Sequence, residues 1–275
     1  MLRAHQRVGR LTIVVTLWAS ALTATSGQTA VSELAQARAH YNQRQFDEAI
    51  AVASAARKVP EAADAAALVL ARAHLERYRE RSDPADLSAA REVLGGIRAG
   101  SLDARDQVEL LLALGQSLFL EDDFGASAEI LESGIERGVA VDRELGEAML
   151  EWWGSAVERL AGGLTRAPRT VAFSRVVARM REELARRPSS AAACYWTAAA
   201  LRGAGEPERA WDAAVAGWVR ARLMGDRAAA LRADLDRLVL LGIIPDRIRP
   251  LPVDQQTSTE SQLKADWELV KERWK

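Results

Sequence analysis

The sequence is poor in the residues that carry most enzyme chemistry: one cysteine, three histidines and four lysines in 275 positions. With Cys194 alone there is no intramolecular disulfide, and its place far downstream excludes a lipid-modified cysteine at an amino-terminal cleavage point. The histidines, His5, His40 and His74, form no HExxH motif and no ligand cluster with the distant cysteine, so a zinc site is not expected. A cysteine nucleophile needs a histidine base within reach. Cys194 stands more than a hundred residues from His74 and reads as a structural thiol. The glycine pairs Gly95-Gly96 and Gly162-Gly163 lack the lysine and preceding strand of a phosphate loop and read as helix ends. Long Val/Ile/Thr alternations are absent, so a sheet is not expected. The charge is close to balanced, at −1 overall, which gives no electrostatic reason to expect nucleic acid. No cofactor is called for.

What is abundant is alanine, leucine, arginine and glutamate, the composition of amphipathic helices. The amino terminus differs from the rest. Three arginines (Arg3, Arg7, Arg10) precede the apolar run LTIVVTLWASAL and the small polar stretch TATSGQTA, the order of regions in a secretory signal. Residues 1–29 are therefore expected to direct export, leaving a periplasmic or secreted protein. The alternative is an uncleaved anchor holding the chain at the membrane, facing outward, and membrane contact is expected only in that case. The apolar run is short for a bilayer span, which favours cleavage.

A period appears in the remainder. Ala37-Arg38-Ala39-His40 recurs as Ala71-Arg72-Ala73-His74, 34 residues on. Counting twelve and nineteen residues from the small residues Ala37, Gly115 and Ala198 gives Ala49 and Ala56, Ser127 and Gly134, and Ala210 and Gly217, all small. Nine residues from the same references stand Phe46, Phe124 and Pro207, each after a polar turn. Two antiparallel helices cross closely only where side chains are small, and a larger residue fills the splayed end.

At these places the segments RQFDEAIAVASAA, LLLALGQSLFLEDDFGASAEILESGI and AALRGAGEPERAWDAAVAGW resemble the tetratricopeptide repeat family, of the degenerate kind found in exported bacterial proteins. The resemblance implies an all-α fold, a right-handed α-solenoid of about five helical pairs at 30–63, 64–103, 108–141, 142–190 and 191–224. A helical cap is expected over 225–275. In the second pair, ERYRERSDPADL lengthens the first helix, Asp83-Pro84 restarts the chain, and Ala89 and Gly96 fall at the small positions. The fourth pair is set on helical pattern alone, with a break at Gly162-Gly163 and Ala167-Pro168.

In this family the first helices line a concave groove. Carried over by register, the groove candidates are Arg38, Tyr41 and Asn42; Arg72 and Glu76; Gln116 and Phe119; and Tyr195 and Arg202. Arg38 and Arg72 would lie one above the other, able to hold a carboxylate of an acidic protein or peptide partner, or else to pair with acids of the chain itself. The implied role is a non-catalytic binding scaffold and not an enzyme. The alternative is a superhelical accessory domain of a glycan-active envelope enzyme, which would need a carboxylic acid of raised pKa in a cleft, near the fourth pair.

Three further groups have structural readings. His40 and His74 occupy equivalent positions and are expected in the core, with a paired site as the lesser alternative. Glu121-Asp122-Asp123 precedes a helix and is expected to cap it. Of the adjacent Trp152 and Trp153, whose side chains diverge by roughly 100°, only one can enter the core.

Overall fold

The computed structural model describes residues 32–275, so the segment read as an export signal lies outside them. The described chain is all-helical and divides into two compact units, one ending at Leu102 and one spanning Asp103–Lys275. No helix among the described residues is long and apolar enough to cross a membrane.

The first unit contains α1 (residues 32–42), α2 (Phe46–Ala56), α3 (Ala63–Arg81) and α4 (Pro84–Gly95). The second contains α5 (Ala104–Leu120), α6 (Phe124–Val141), α7 (Arg143–Gly162), α8 (Arg166–Arg186), α9 (Ala191–Gly203), α10 (Pro207–Arg220) and α11 (Ala228–Leu238). A π-helical turn, Val239–Ile243, leads from α11 into the short α12 (Ile244–Ile248), and α13 (Val253–Arg273) follows.

Helix starts are written in the sequence. Asp83, Asp103, Asp123, Asp142 and Ser190 each accept a hydrogen bond from a backbone N–H of the first turn that follows. Pro84 and Pro207 begin α4 and α10, where a missing N–H costs nothing. Pro168 does not break the chain as expected: α8 already starts at Arg166, and the proline sits in its first turn.

The turns repeat more strictly than the helices do. Arg44, Asp122 and Gly205, each seven residues after the reference small residue, all have positive φ, 60°, 62° and 83°. This single left-handed residue reverses the chain between the two helices of a pair. Ser82 (φ 56°) does the same between α3 and α4, four residues later than the period requires, the length of about one helical turn. No such residue stands between α7 and α8, where Gly163 has φ −85°. The fourth pair thus turns by a different device.

The small positions lie at crossings. Ala37, Ala49 and Ala56, and likewise Ser127, Ala198 and Ala210, are fully buried. A Cβ on Gly115 would stand 2.5 Å from Leu131 Cγ, and one on Gly134 would stand 2.3 Å from Met149 Cε. Repeat two departs from this. Gly96 is exposed and Ala89 only half-buried, while Asp86, Ala90, Val93 and Leu94 are buried. The face of α4 is set by the buried Asp86, which receives Arg77 and His74 from α3. The buried face of α4 thus runs through Asp86, Ala90, Val93 and Leu94 and not through Ala89 and Gly96.

In the second unit α7 contacts both α5 and α9, and α9 contacts α11, so these helices form a continuous wall, with α6, α8 and α10 between them in sequence. Trp153 is fully buried in its core, and Trp152 is half-buried beside Phe119. At the carboxy-terminal end, Trp267 of α13 is buried and meets Trp211 and Trp218 of α10 edge-on at 5.8 and 5.4 Å. Its Nε1 donates to Asp236 of α11 at 2.8 Å.

Candidate functional site

In the first unit the structure brings Tyr41 and Arg72 together, with the guanidinium 4.5 Å from the ring centroid. Arg38 is half-buried on α1, and Asn42 is exposed at its end. Glu76 accepts from Arg79 on its own helix. Neither histidine is a core residue. His40 Nδ1 lies 2.7 Å from Gln45 Oε1, and His74 Nδ1 lies 2.7 Å from Asp86 Oδ1. Each is held by a polar partner within its own helical pair, because an imidazole at a crossing needs its nitrogens satisfied. No cluster of potential metal ligands occurs among the described residues.

Asp86 anchors a charged network here. Burial alone would raise its pKa, but hydrogen bonds from Arg77 and then His74 more than offset this and hold the carboxyl below the ordinary value. Arg77 also reaches Asp47 on α2, which Arg81 shares. The two arginines, Arg81 first, lower the Asp47 pKa to about 2.

In the second unit the groove candidates part company. Gln116 is buried, 7% exposed, beside the tight α5–α6 crossing at Gly115. Phe119 stands edge-on to Phe124 and Trp152, both at 5.2 Å, with Arg159 over the Phe124 ring at 4.7 Å. Tyr195 and Arg202, seven residues apart on one face of α9, each line a cavity.

The larger cavity, about 860 Å³, is bounded by Arg202, Arg169, Arg249, Glu158, Asp246 and Phe173 among others. Arg202 donates from Nε to Asp246 Oδ2 at 2.7 Å. Arg249 contacts the other oxygen of the same carboxylate at 2.8 Å. One acid is thus shared by two guanidiniums. Arg169 spends its donors on the carbonyls of Ala161, Gly162 and Leu164 at the end of α7, which leaves its charge without a carboxylate partner among the described residues. Beneath Arg202 lies Gly242 of the π-helical turn, where a Cβ would stand 2.8 Å from Arg202 Nε. The widened turn and its glycine make room for the arginine, and Asp246, one turn on, aims it.

The second cavity, about 340 Å³, is lined by Glu151, Ser155 and Glu158 of α7, Tyr195 and Trp196 of α9, and Arg227 and Asp234 across from them. Glu151, Ser155 and Glu158 follow the spacing of one helix face. Here acids outnumber bases. Desolvation of the carboxyls against this wall raises the pKa of Glu151 and Glu158, with Asp234 adding to the effect on Glu151. Both glutamates remain exposed residues. Desolvation, then Glu158 and Glu151, also raise the Tyr195 hydroxyl.

The three acids and the π-helical turn were not among the sequence candidates. Glu151 and Glu158 were legible as one helix face, but the cavity they line depends on α9 and α11. Cys194 is buried, and desolvation pushes its thiol up to about 11, which suits an inert core residue. Compared with protein-family models, with curated proteins and with solved structures, the chain matches none.

Proposed function

We propose that this protein is a peptide-binding scaffold acting outside the cytoplasm, in which the helical pairs of the second unit are arranged as a tetratricopeptide-like α-solenoid. Its working surface is the wall of α5, α7 and α9, the first helices of its pairs, continued by α11 of the cap. The observation that carries this reading is Arg202, fixed through Nε by Asp246, with its two terminal nitrogens left for a ligand at a cavity of about 860 Å³. A guanidinium held by one edge presents its remaining donors to a carboxylate. Toward Tyr195 the wall becomes acidic, and that end suits a basic side chain. Tyr195 and Arg202 are seven residues apart, about 10 Å along the helix axis. An extended peptide covers that span in about three residues, so the partner segment carries an acidic and a basic residue at that separation.

The test is binding of such a peptide to the full chain. Arg202→Ala is expected to weaken it about tenfold, the effect of losing a charge-assisted hydrogen bond. Gly242→Ala is expected to weaken it as well, by displacing the guanidinium. Unchanged affinity in both variants rejects the reading.

Glu158 supports a second reading. A carboxylic acid of raised pKa lining a cavity is what glycan cleavage requires. Release of sugar ends from cell-wall glycan by the purified chain, abolished in Glu158→Gln, would establish an enzyme. A Glu158→Gln variant that keeps peptide binding, beside a wild type without hydrolysis, establishes the scaffold.

A further inference from the structure

Helix α9 is used on both sides. Relative to Tyr195, Arg202 lies on the same face, whereas Thr197 and Leu201 lie roughly 200° and 240° around the helix. Those two residues floor another cavity, of about 480 Å³, walled by Arg181 and Leu184 of α8 and by Arg209 and Arg220 of α10. It has no residue in common with the two cavities described above.

Its charges are unbalanced. Three guanidiniums face one carboxylate, Asp212. Arg209 is paired with Glu206 one turn earlier on the rim. Arg181 has no carboxylate partner among the described residues, and neither has Arg220, whose nearest polar neighbour toward the core is the thiol of Cys194. A thiol is a weak acceptor and leaves the charge uncompensated. Arg220, half-buried beside the apolar floor, loses part of its hydration without regaining it from a counter-charge. Arg181 is exposed at the rim and adds an uncompensated charge, and an incoming anion supplies the counter-charge to both. The spacing indicates what kind. Arg209 and Arg220 are eleven residues apart on one helix, about 16 Å, with Leu184, Leu201 and Ala213 along the groove. Such spread favours several single charges on a chain with aliphatic carbon over one compact dianion, which Asp212 would also repel.

We propose that the α8–α10 groove binds an acidic polypeptide segment, with carboxylates on Arg181 and Arg220 and aliphatic side-chain portions on Leu184 and Leu201. This site is independent of the peptide surface around Arg202, and it stands or falls separately.

The probe is a fluorescein-labelled peptide of glutamates alternating with alanines, without basic residues, titrated into the full chain and read by anisotropy. Arg181→Ala is expected to weaken binding about tenfold, as is Arg220→Ala, with a shallower salt dependence in each. The glutamine counterpart of the peptide should not bind. Arg181 is exposed, so Arg181→Glu keeps the test valid even where Arg220→Ala, next to the buried Cys194, fails to fold. Absence of binding by the wild type overturns the proposal. So does binding that Arg181→Ala and Arg220→Ala leave unchanged but Arg202→Ala abolishes, which would place acidic peptides on the opposite face of α9. Displacement of the peptide by inorganic phosphate at concentrations where free glutamate has no effect would mark a phosphate site and also overturn it.

Discussion

Ser127 donates its hydroxyl to the carbonyl oxygen of Gly115 at 2.8 Å, across a crossing in which both residues are buried. The two stand twelve positions apart, the interval that also relates Ala37 to Ala49 and Ala198 to Ala210. Here the period has a physical content: one helix lacks a side chain and the other has a short one, and the gap is closed by a hydrogen bond. Gly115→Ala gains helix propensity of about 1 kcal/mol but drives a methyl into Leu131, whose Cγ is 2.5 Å away. Overpacking of about 1–3 kcal/mol should win, and chemical denaturation should show a net loss. Ser127→Ala should cost about 1 kcal/mol. Unaltered midpoints in both would mean that the crossing is looser than described.

Asp122 holds the left-handed position that Gly205 holds in the equivalent turn of the fifth repeat. For a residue with a Cβ this conformation costs roughly 1–2 kcal/mol. Among the described residues the only ion pair of Asp122 is a 3.7 Å exposed contact with Arg159, which contributes little. Asp122→Gly is therefore expected to raise stability by about 0.5–1 kcal/mol after allowing for the entropy of the unfolded glycine. A lower melting temperature would contradict the assignment of strain to this turn.

Asp86 governs the acid response of the first unit. Its carboxyl titrates below the ordinary value of 3.8 when folded. The stability it supplies is therefore present above that value and lost as pH falls through the lower, folded one. Asp47, lowered to about 2, acts in the same direction. The protection of the α3–α4 amides, taken relative to the intrinsic exchange rate at each pH, should fall between about pH 4 and pH 2, and Asp86→Asn should flatten that limb. At neutral pH, Asp86→Ala leaves Arg77 and His74 facing an empty site and should cost about 3 kcal/mol. Acid resistance equal in wild type and Asp86→Asn would remove the network from its assigned role.

How much of this could be read in advance differs from element to element. Ala49, Ser127 and Ala210 were placed by counting, because helix crossings impose local steric rules that depend on few neighbours. The capping role of Asp123 and the restart at Asp83-Pro84 were legible for the same reason. The burial of Gln116 was not, since a register carried over from other helical pairs cannot tell how closely neighbours pack at one crossing. His74 was misread because its partner, Asp86, lies on the next helix, twelve residues on. The candidate site was half visible. Tyr195 and Arg202 follow from position on α9, but the cavity that the glutamates line is completed by helices remote in sequence. The π-helical turn around Gly242 has no periodic signal at all.

The grip of Asp246 on Arg202 spans 44 positions, so the carboxy-terminal stretch is not a detachable lid. A shortened protein ending after α10 would retain every groove residue named from the repeats, yet its arginine would swing without a tether. Such a fragment would test a weakened instrument, and silence from it would say nothing about the intact chain.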